Sequence, residues 1–145
     1  MLQRMVNFLV NNRFSLIRRV GLRFLRIFGL DIPGSVCFKG RVTFAHGGLG
    51  VVIHPRTTIG HSVKIYQQVT IGRSDIWNDT PSEQFEGVFI GDNVIICTGA
   101  KILTSRRLDI GAGSIIGANS VLTKSTGENE IWAGIPAKFI RKVHH

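Results

Sequence analysis

From residue 31 onward an aliphatic or aromatic side chain falls on every sixth position: Ile32, Phe38, Phe44, then Ile53, Ile59, Ile65, Ile71, then Ile90, Ile96, Ile102, and last Ile110, Ile116, Leu122. Glycine often follows the beat, as in IGHSVK, IGDNVI, IGAGSI and IGANSV. A helix has no use for a strict period of six, and simple strand alternation does not single out every third inward position. A solenoid of short strands with three flat sides does, because each hexapeptide supplies one side and one corner. The aliphatic residue fills the narrow interior while small or φ-permissive residues turn the corner.

The interruptions carry information too. Three extra residues fall between Phe44 and Ile53, two between Ile102 and Ile110, and RSDIWNDTPSEQFEG separates Ile71 from Ile90. Insertions in a solenoid leave as loops, often on the binding face. The first of them, within FAHGGLG, holds His46.

Residues 1–30 follow a different rule. Val6, Leu9, Val10, Ile17, Val20, Phe24, Ile27 and Phe28 recur mainly at three- and four-residue steps, which predicts a helix with Gly29 as its stop. The expected organisation is a basic amphipathic helical segment over 1–30 and a β-helix over 31–145, with a loop at about 73–87. The apolar face of the helix is expected to cap the solenoid.

Charge sharpens this picture. The chain of 145 residues has a formal net charge of +9, and residues 1–30 carry six arginines (Arg4, Arg13, Arg18, Arg19, Arg23, Arg26) and no acid. Such a helix either solvates its arginines or rests on anionic lipid as a peripheral contact. Nothing in it resembles a nucleic-acid recognition motif. No run approaches the ~20 apolar residues that span a bilayer, and no secretory signal is evident. Cys37 and Cys97 stand far apart without a CxxC, which predicts reduced, buried thiols and a cytoplasmic location, with the inner membrane face as the site of any peripheral contact.

The hexapeptide beat resembles the left-handed parallel β-helix of hexapeptide-repeat acyltransferases. Within that superfamily, residues 31–142 are most similar to serine acetyltransferase and its short relatives in polysaccharide gene clusters. DIPGSVCFKGRVTFAHGGLGVVI resembles the run that leads to that family's catalytic histidine loop, and IYQQVTIGR resembles its Ile-Leu-Gln-Ser-Val-Thr-Leu-Gly-Gly. TGAKIL, IGANSV and WAGIPAKFI resemble its coenzyme A coils and closing motif. The resemblance implies His46 as catalytic base and Asp31, fifteen residues upstream, as its partner acid. It implies acetyl-coenzyme A as donor, with Gly72, Ala100 and Ala118 small where pantetheine passes, and Lys101, Lys124, Lys138 and Arg141 as candidates for the phosphates. It also implies a homotrimer with sites between neighbours.

The chemistry suits these residues. Acetyl transfer from a thioester to an alcohol needs the hydroxyl proton removed as oxygen attacks, and imidazole, with an ordinary pKa of about 6.5, does that near neutrality. A carboxylate on the other ring nitrogen fixes the tautomer and stabilises the imidazolium. Backbone N–H groups of Gly47 and Gly48 are candidate oxyanion donors. No enzyme nucleophile and no metal are required. His54 and His61 are expected to be solvated near corners. A zinc set of His46, His54 and His61, as in hexapeptide carbonic anhydrases, does not suit intervals of 8 and 7 in a coil of about 18 residues. A non-catalytic β-helix used for assembly is the remaining alternative.

The acceptor is where the chain departs from serine acetyltransferase. The aspartate before that family's catalytic histidine is Ala45 here, and its Arg-His pair for serine falls on Glu86 and Gly87. Residues 73–87 bring Asp75, Asp79, Glu83 and Glu86 together with Trp77 and Phe85, a set that suits either a sugar face and its hydroxyls or an acidic solvated loop. The expected reaction is O-acetylation of a sugar or surface-polysaccharide precursor, with serine as the alternative acceptor.

Overall fold

A computed structural model describes residues 1–12, 15–77 and 84–144; the side chains of Ser15 and Arg18 are outside the description. Two α-helices, α1 (Leu2–Val10) and α2 (Ser15–Phe24), and a 3-10 turn (Leu25–Phe28) precede fourteen short strands. Three stacked sheets form the sides of a prism. The first runs β1 (Cys37–Phe38), β4 (Thr57–Ile59), β7 (Gly87–Ile90), β10 (Arg107–Ile110). The second runs β2 (Val42–Phe44), β5 (Val63–Ile65), β8 (Ile95–Ile96), β11 (Ile115–Ile116), and closes with β13 (Glu130–Gly134) and β14 (Ala137–Lys142). The third runs β3 (Val52–Ile53), β6 (Thr70–Arg73), β9 (Lys101–Thr104), β12 (Val121–Leu122). All pairings are parallel except the β13–β14 hairpin at the C-terminal end. The architecture is a left-handed parallel β-helix.

The six-residue beat becomes three columns. Ile59, Ile90 and Ile110 stack on the first side. Ile65, Ile96 and Ile116 stack on the second. Ile53, Ile71, Ile102 and Leu122 stack on the third. Each of these is at most 3% exposed. Phe38 is only partly buried. A second inward position lies two residues before each beat, as strand geometry requires. It holds Val36, Val42, Val63, Val69, Val88, Val94, Ala100 and Leu108, but also Thr57, Ser114 and Ser120. The buried hydroxyls are satisfied: Thr57 Oγ1 donates to the His54 carbonyl, Ser114 Oγ donates to the Gly127 carbonyl, and Ser120 Oγ accepts from the Gly134 N–H.

Corners need left-handed backbone, and several non-glycine residues supply it, among them Ser62, Gln68, Asn93 and Asn119. Gly99 (φ +70) has a further reason to be glycine, because a Cβ there would lie 2.0 Å from Asn119 Oδ1 on the next coil.

The N-terminal end is sealed by α1. Its apolar residues at i, i+3, i+4, i+7 and i+8 bury Val6 and Val10 fully and Leu2, Met5 and Leu9 partly. The exposed edge of β2 is satisfied by two asparagines of that helix. Asn7 Oδ1 accepts the Phe44 N–H at 2.9 Å, and Asn11 accepts the Val42 N–H at 2.9 Å while donating to its carbonyl at 3.0 Å. α1 thus stands where another strand would otherwise pair.

The N-terminal segment departs from the expected single helix with one capping face. Gly29 (φ 78) ends it as expected, but it contains two α-helices, and α2 turns its other side to the core. Leu22, Leu25 and Leu30 are buried, whereas Ile17, Val20, Phe24, Ile27 and Phe28 face outward. Both sides of α2 are apolar, so docking against α1 decided which was covered. The cysteines also differ from expectation: Cys37 is exposed and Cys97 is half-buried, both free, and burial raises the Cys97 pKa. No helix among the described residues is long and apolar enough to cross a membrane.

Candidate active site

His46 sits where the chain leaves β2 and turns the corner toward β3. Its backbone is left-handed (φ 52, ψ 32), followed by Gly47 (φ 70) and Gly48 (φ 65). Three successive residues in this region make a tight turn, buried at Ala45, Gly47 and Gly48. A Cβ on Gly48 would press to 2.8 Å from Leu30 Cδ2, so the turn lies directly on the capping segment. A left-handed histidine is uncommon and costs about 1 kcal/mol, and such geometry clusters at functional sites. The imidazole is exposed, with the Tyr66 ring 6.1 Å away at a tilt of 47°.

The same edge of the prism continues down the coils. Gln68 N–H donates to the Leu49 carbonyl, Gly99 N–H to the Gln67 carbonyl, and Asn119 N–H to the Thr98 carbonyl. His46, Gln67, Thr98 and Ala118 therefore mark one continuous corner line. On it lies the one buried side-chain polar atom without a partner among the described residues, Gln67 Oε1. Such an orphan costs about 1–3 kcal/mol, and native structures tolerate it mainly where function asks for it. Lys101 projects beside this line, its Nζ donating to the Gln68 carbonyl at 2.7 Å, and Ala118 is exposed on it.

Around the corner, the face built by β3, β6 and β9 carries a mainly apolar depression, in which Val52, Gly72, Leu103, Ile76 and Trp77 share the lining with Arg26, Asp31 and His54. Gly72 is open there, its nearest neighbour in the Cβ direction being Leu103 at 3.9 Å. Asp31 is held by the backbone of β3, giving its N–H to the Val51 carbonyl and accepting the Ile53 N–H. Its half-exposed carboxylate accepts from Arg26 Nε at 2.8 Å and lies 2.7 Å from the other guanidinium nitrogen. Asp31 and His46 thus flank the same corner, but within one chain no hydrogen bond joins them.

The other expected site residues differ in exposure. Ala100 is wholly inside the prism and offers no surface to a ligand. Lys124, Lys138 and Arg141 are exposed on the C-terminal coil and the closing hairpin. Phe85 and Asp75, grouped by sequence with a sugar face, are both buried: Phe85 is 1% exposed, and Asp75 forms a two-pronged pair with Arg73 at 2.9 and 3.0 Å. Glu86 lies 3.8 Å from Arg107. Trp77 and Glu86 are the exposed members of that set among the described residues, while Asp79 and Glu83 lie outside them. Among the described residues no group of three His, Cys, Asp or Glu side chains is placed to hold a metal ion.

His61 is exposed, as expected, and its Nδ1 lies 3.3 Å from the Asp92 carboxylate, a partner the sequence did not suggest. His54 is not solvated in that way. Its ring meets Phe85 edge-on at 4.4 Å, and its Nδ1 accepts the Arg56 N–H at 3.1 Å. Burial, with Arg73 and Arg56 nearby, lowers its pKa and favours the neutral ring. No sequence signal separated His54 from His61, since both simply follow an inward beat.

The serine acetyltransferase of Mycobacterium tuberculosis is 34% identical over 139 residues, which cover 94% of this chain and 57% of that protein. That of Staphylococcus epidermidis is 35% identical over 136 residues, covering 92% and 60%. Over more than nine tenths of its length the chain is thus similar to serine acetyltransferases, proteins of the hexapeptide-repeat acyltransferase family. Among solved structures, the Brucella abortus serine acetyltransferase in complex with coenzyme A superposes with a TM-score of 0.72 at 26% identity, over 99% of this chain and 54% of that one. The Neisseria gonorrhoeae serine acetyltransferase in complex with serine gives 0.69 at 26%, over 97% and 54%. The chain spans about three fifths of the curated relatives' length. No protein-family model matches the chain.

Proposed function

We propose that this chain is an acetyl-coenzyme A-dependent O-acetyltransferase of the serine acetyltransferase type. The observation that carries the reading is the left-handed turn that presents the exposed His46 imidazole at the head of the corner line, around the corner from an apolar depression, in a chain similar to this family. His46 takes the proton from the acceptor hydroxyl as its oxygen attacks the thioester carbonyl. The C–S bond breaks as the intermediate collapses, and the imidazolium returns the proton to the departing thiolate. Gly47 and Gly48 N–H groups face the developing oxyanion in this proposal.

The corner line suits an extended thioester donor. It offers an exposed Ala118 and the cation of Lys101 beside it. Asp31 serves as orienting acid, with Arg26 competing for its carboxylate. A homotrimer, with the donor held partly by a neighbouring subunit, belongs to the same proposal.

Serine is the leading acceptor, because the relatives at 34 and 35% identity are named for it. A sugar hydroxyl is the second reading. It is favoured by Ala45 in place of an acid beside His46 and by exposed Trp77 on the depression. A site without charged partners leaves a zwitterion's charges unpaired, which costs discrimination. Thiol release from acetyl-coenzyme A over a panel of serine, free sugars and lipid-linked glycans decides between them. Release with none of these, by protein that binds the donor, would remove the proposal as a whole.

A further inference from the structure

The outward side of α2 and the turn after it carries six exposed apolar residues within thirteen positions: Leu16, Ile17, Val20, Phe24, Ile27 and Phe28. Their spacing places them on one continuous stripe. Arg19 and Arg23 are exposed along its flank, between the stripe and the buried Leu22–Leu25 side. Monomer surfaces rarely leave so long an apolar stripe open, and single exposed residues of this kind would need no account. We infer that this stripe is a docking surface for an anionic lipid bilayer, the apolar side chains entering the headgroup boundary while the arginines meet the lipid phosphates.

The choice of occupant rests on charge. Residues 1–30 hold six arginines and no acid. A second copy laid stripe to stripe would set two rows of arginines side by side. The acids elsewhere offer little compensation, since most of those described are already engaged within the chain: Asp31 with Arg26, Asp75 with Arg73, Asp92 with His61, Asp109 and Glu86 with Arg107, and Glu130 with Lys142. An anionic membrane meets both halves of the stripe, the apolar by burial and the basic by attraction. Arg26, between Phe24 and Ile27, also pairs with Asp31 at the rim of the depression, so the docking surface and the candidate site are neighbours.

The test is co-sedimentation of the full chain with phosphatidylcholine vesicles, either pure or containing about one third phosphatidylglycerol. The chain is expected to sediment with the anionic vesicles, less with the neutral ones, and less again as salt is raised. V20S/F24S/I27S, all at exposed positions, is expected to lower the anionic partition coefficient at least about tenfold while circular dichroism stays unchanged. R19Q/R23Q is expected to weaken it in the anionic case only. Absence of binding by the unaltered chain, equal binding to both vesicle types, or undiminished binding by the triple variant would each overturn the inference. So would a triple variant whose mass in analytical ultracentrifugation drops while its vesicle binding persists, since the stripe would then be an interface between copies.

Discussion

Asn7 is the place where the seal at the N-terminal end is most open to measurement. The Phe44 N–H points out of the edge of β2, and Asn7 Oδ1 accepts it at 2.9 Å beneath α1. Phe44 itself is fully buried. Asn7→Ala leaves that donor without a partner, at a cost of about 1–3 kcal/mol. Alanine is the better helix former by roughly 0.5 kcal/mol, which offsets part of the loss. A net destabilisation of about 0.5–2.5 kcal/mol follows. Asn7→Asp keeps an oxygen where the N–H needs one and is expected to stay near the parent. Urea unfolding at one fixed protein concentration reads the midpoint, and concentration must be matched because assembly shifts apparent stability. Equal midpoints for the parent and Asn7→Ala would refute the account of the seal. A loss in Asn7→Asp as large as in Asn7→Ala would mean that the amide acts through packing and not as an acceptor.

Three further outcomes are expected. His46→Ala lowers acetyl transfer at least about a hundredfold, with donor binding by calorimetry nearly unchanged; near-parental turnover would remove His46 as base. Asp31→Asn lowers kcat without moving the unfolding midpoint by more than about 1 kcal/mol, since its salt bridge to Arg26 is solvent-exposed; unaltered kcat would leave Asp31 as a partner of Arg26 and no more. For His54, the folded pKa lies below the unfolded value of about 6.5, so the unfolded chain takes up the proton first. Its contribution is complete above that value and is lost as pH falls toward the folded one. Urea midpoints measured from pH 7 to about pH 5 should fall more steeply for the parent than for His54→Gln, and parallel curves would contradict the assignment.

How much of this was legible from residue order follows physical lines. The beat from Ile32 to Leu122 could be read because one aliphatic residue per side must fill a narrow interior, and twelve of its thirteen positions are buried. The second inward position was hidden because Thr57, Ser114 and Ser120 occupy it, and a buried hydroxyl with a backbone partner looks like a surface residue in sequence. Which side of α2 faces the core was not legible either, because Leu22 and Leu25 on one side rival Val20, Phe24 and Ile27 on the other. His46 stood out through its glycine-rich loop and its family context. Burial of Phe85 against His54 depends on how residues on two coils meet, which no local pattern encodes.

The long insertion between β6 and β7 leaves the prism at a corner, and the ladders on either side of it resume without a shift, Thr57 facing Val88 and Ile71 facing Ile102. The stacking of one coil on the next is thus indifferent to how many residues intervene, since lengthening a loop already closed costs little entropy. Ile76 and Trp77, which the insertion supplies to the depression, are therefore presented on a frame that does not depend on them. A chain of this architecture can exchange that cartridge, and with it the side chains that line the depression, while the histidine turn and the columns beneath it stay as they are.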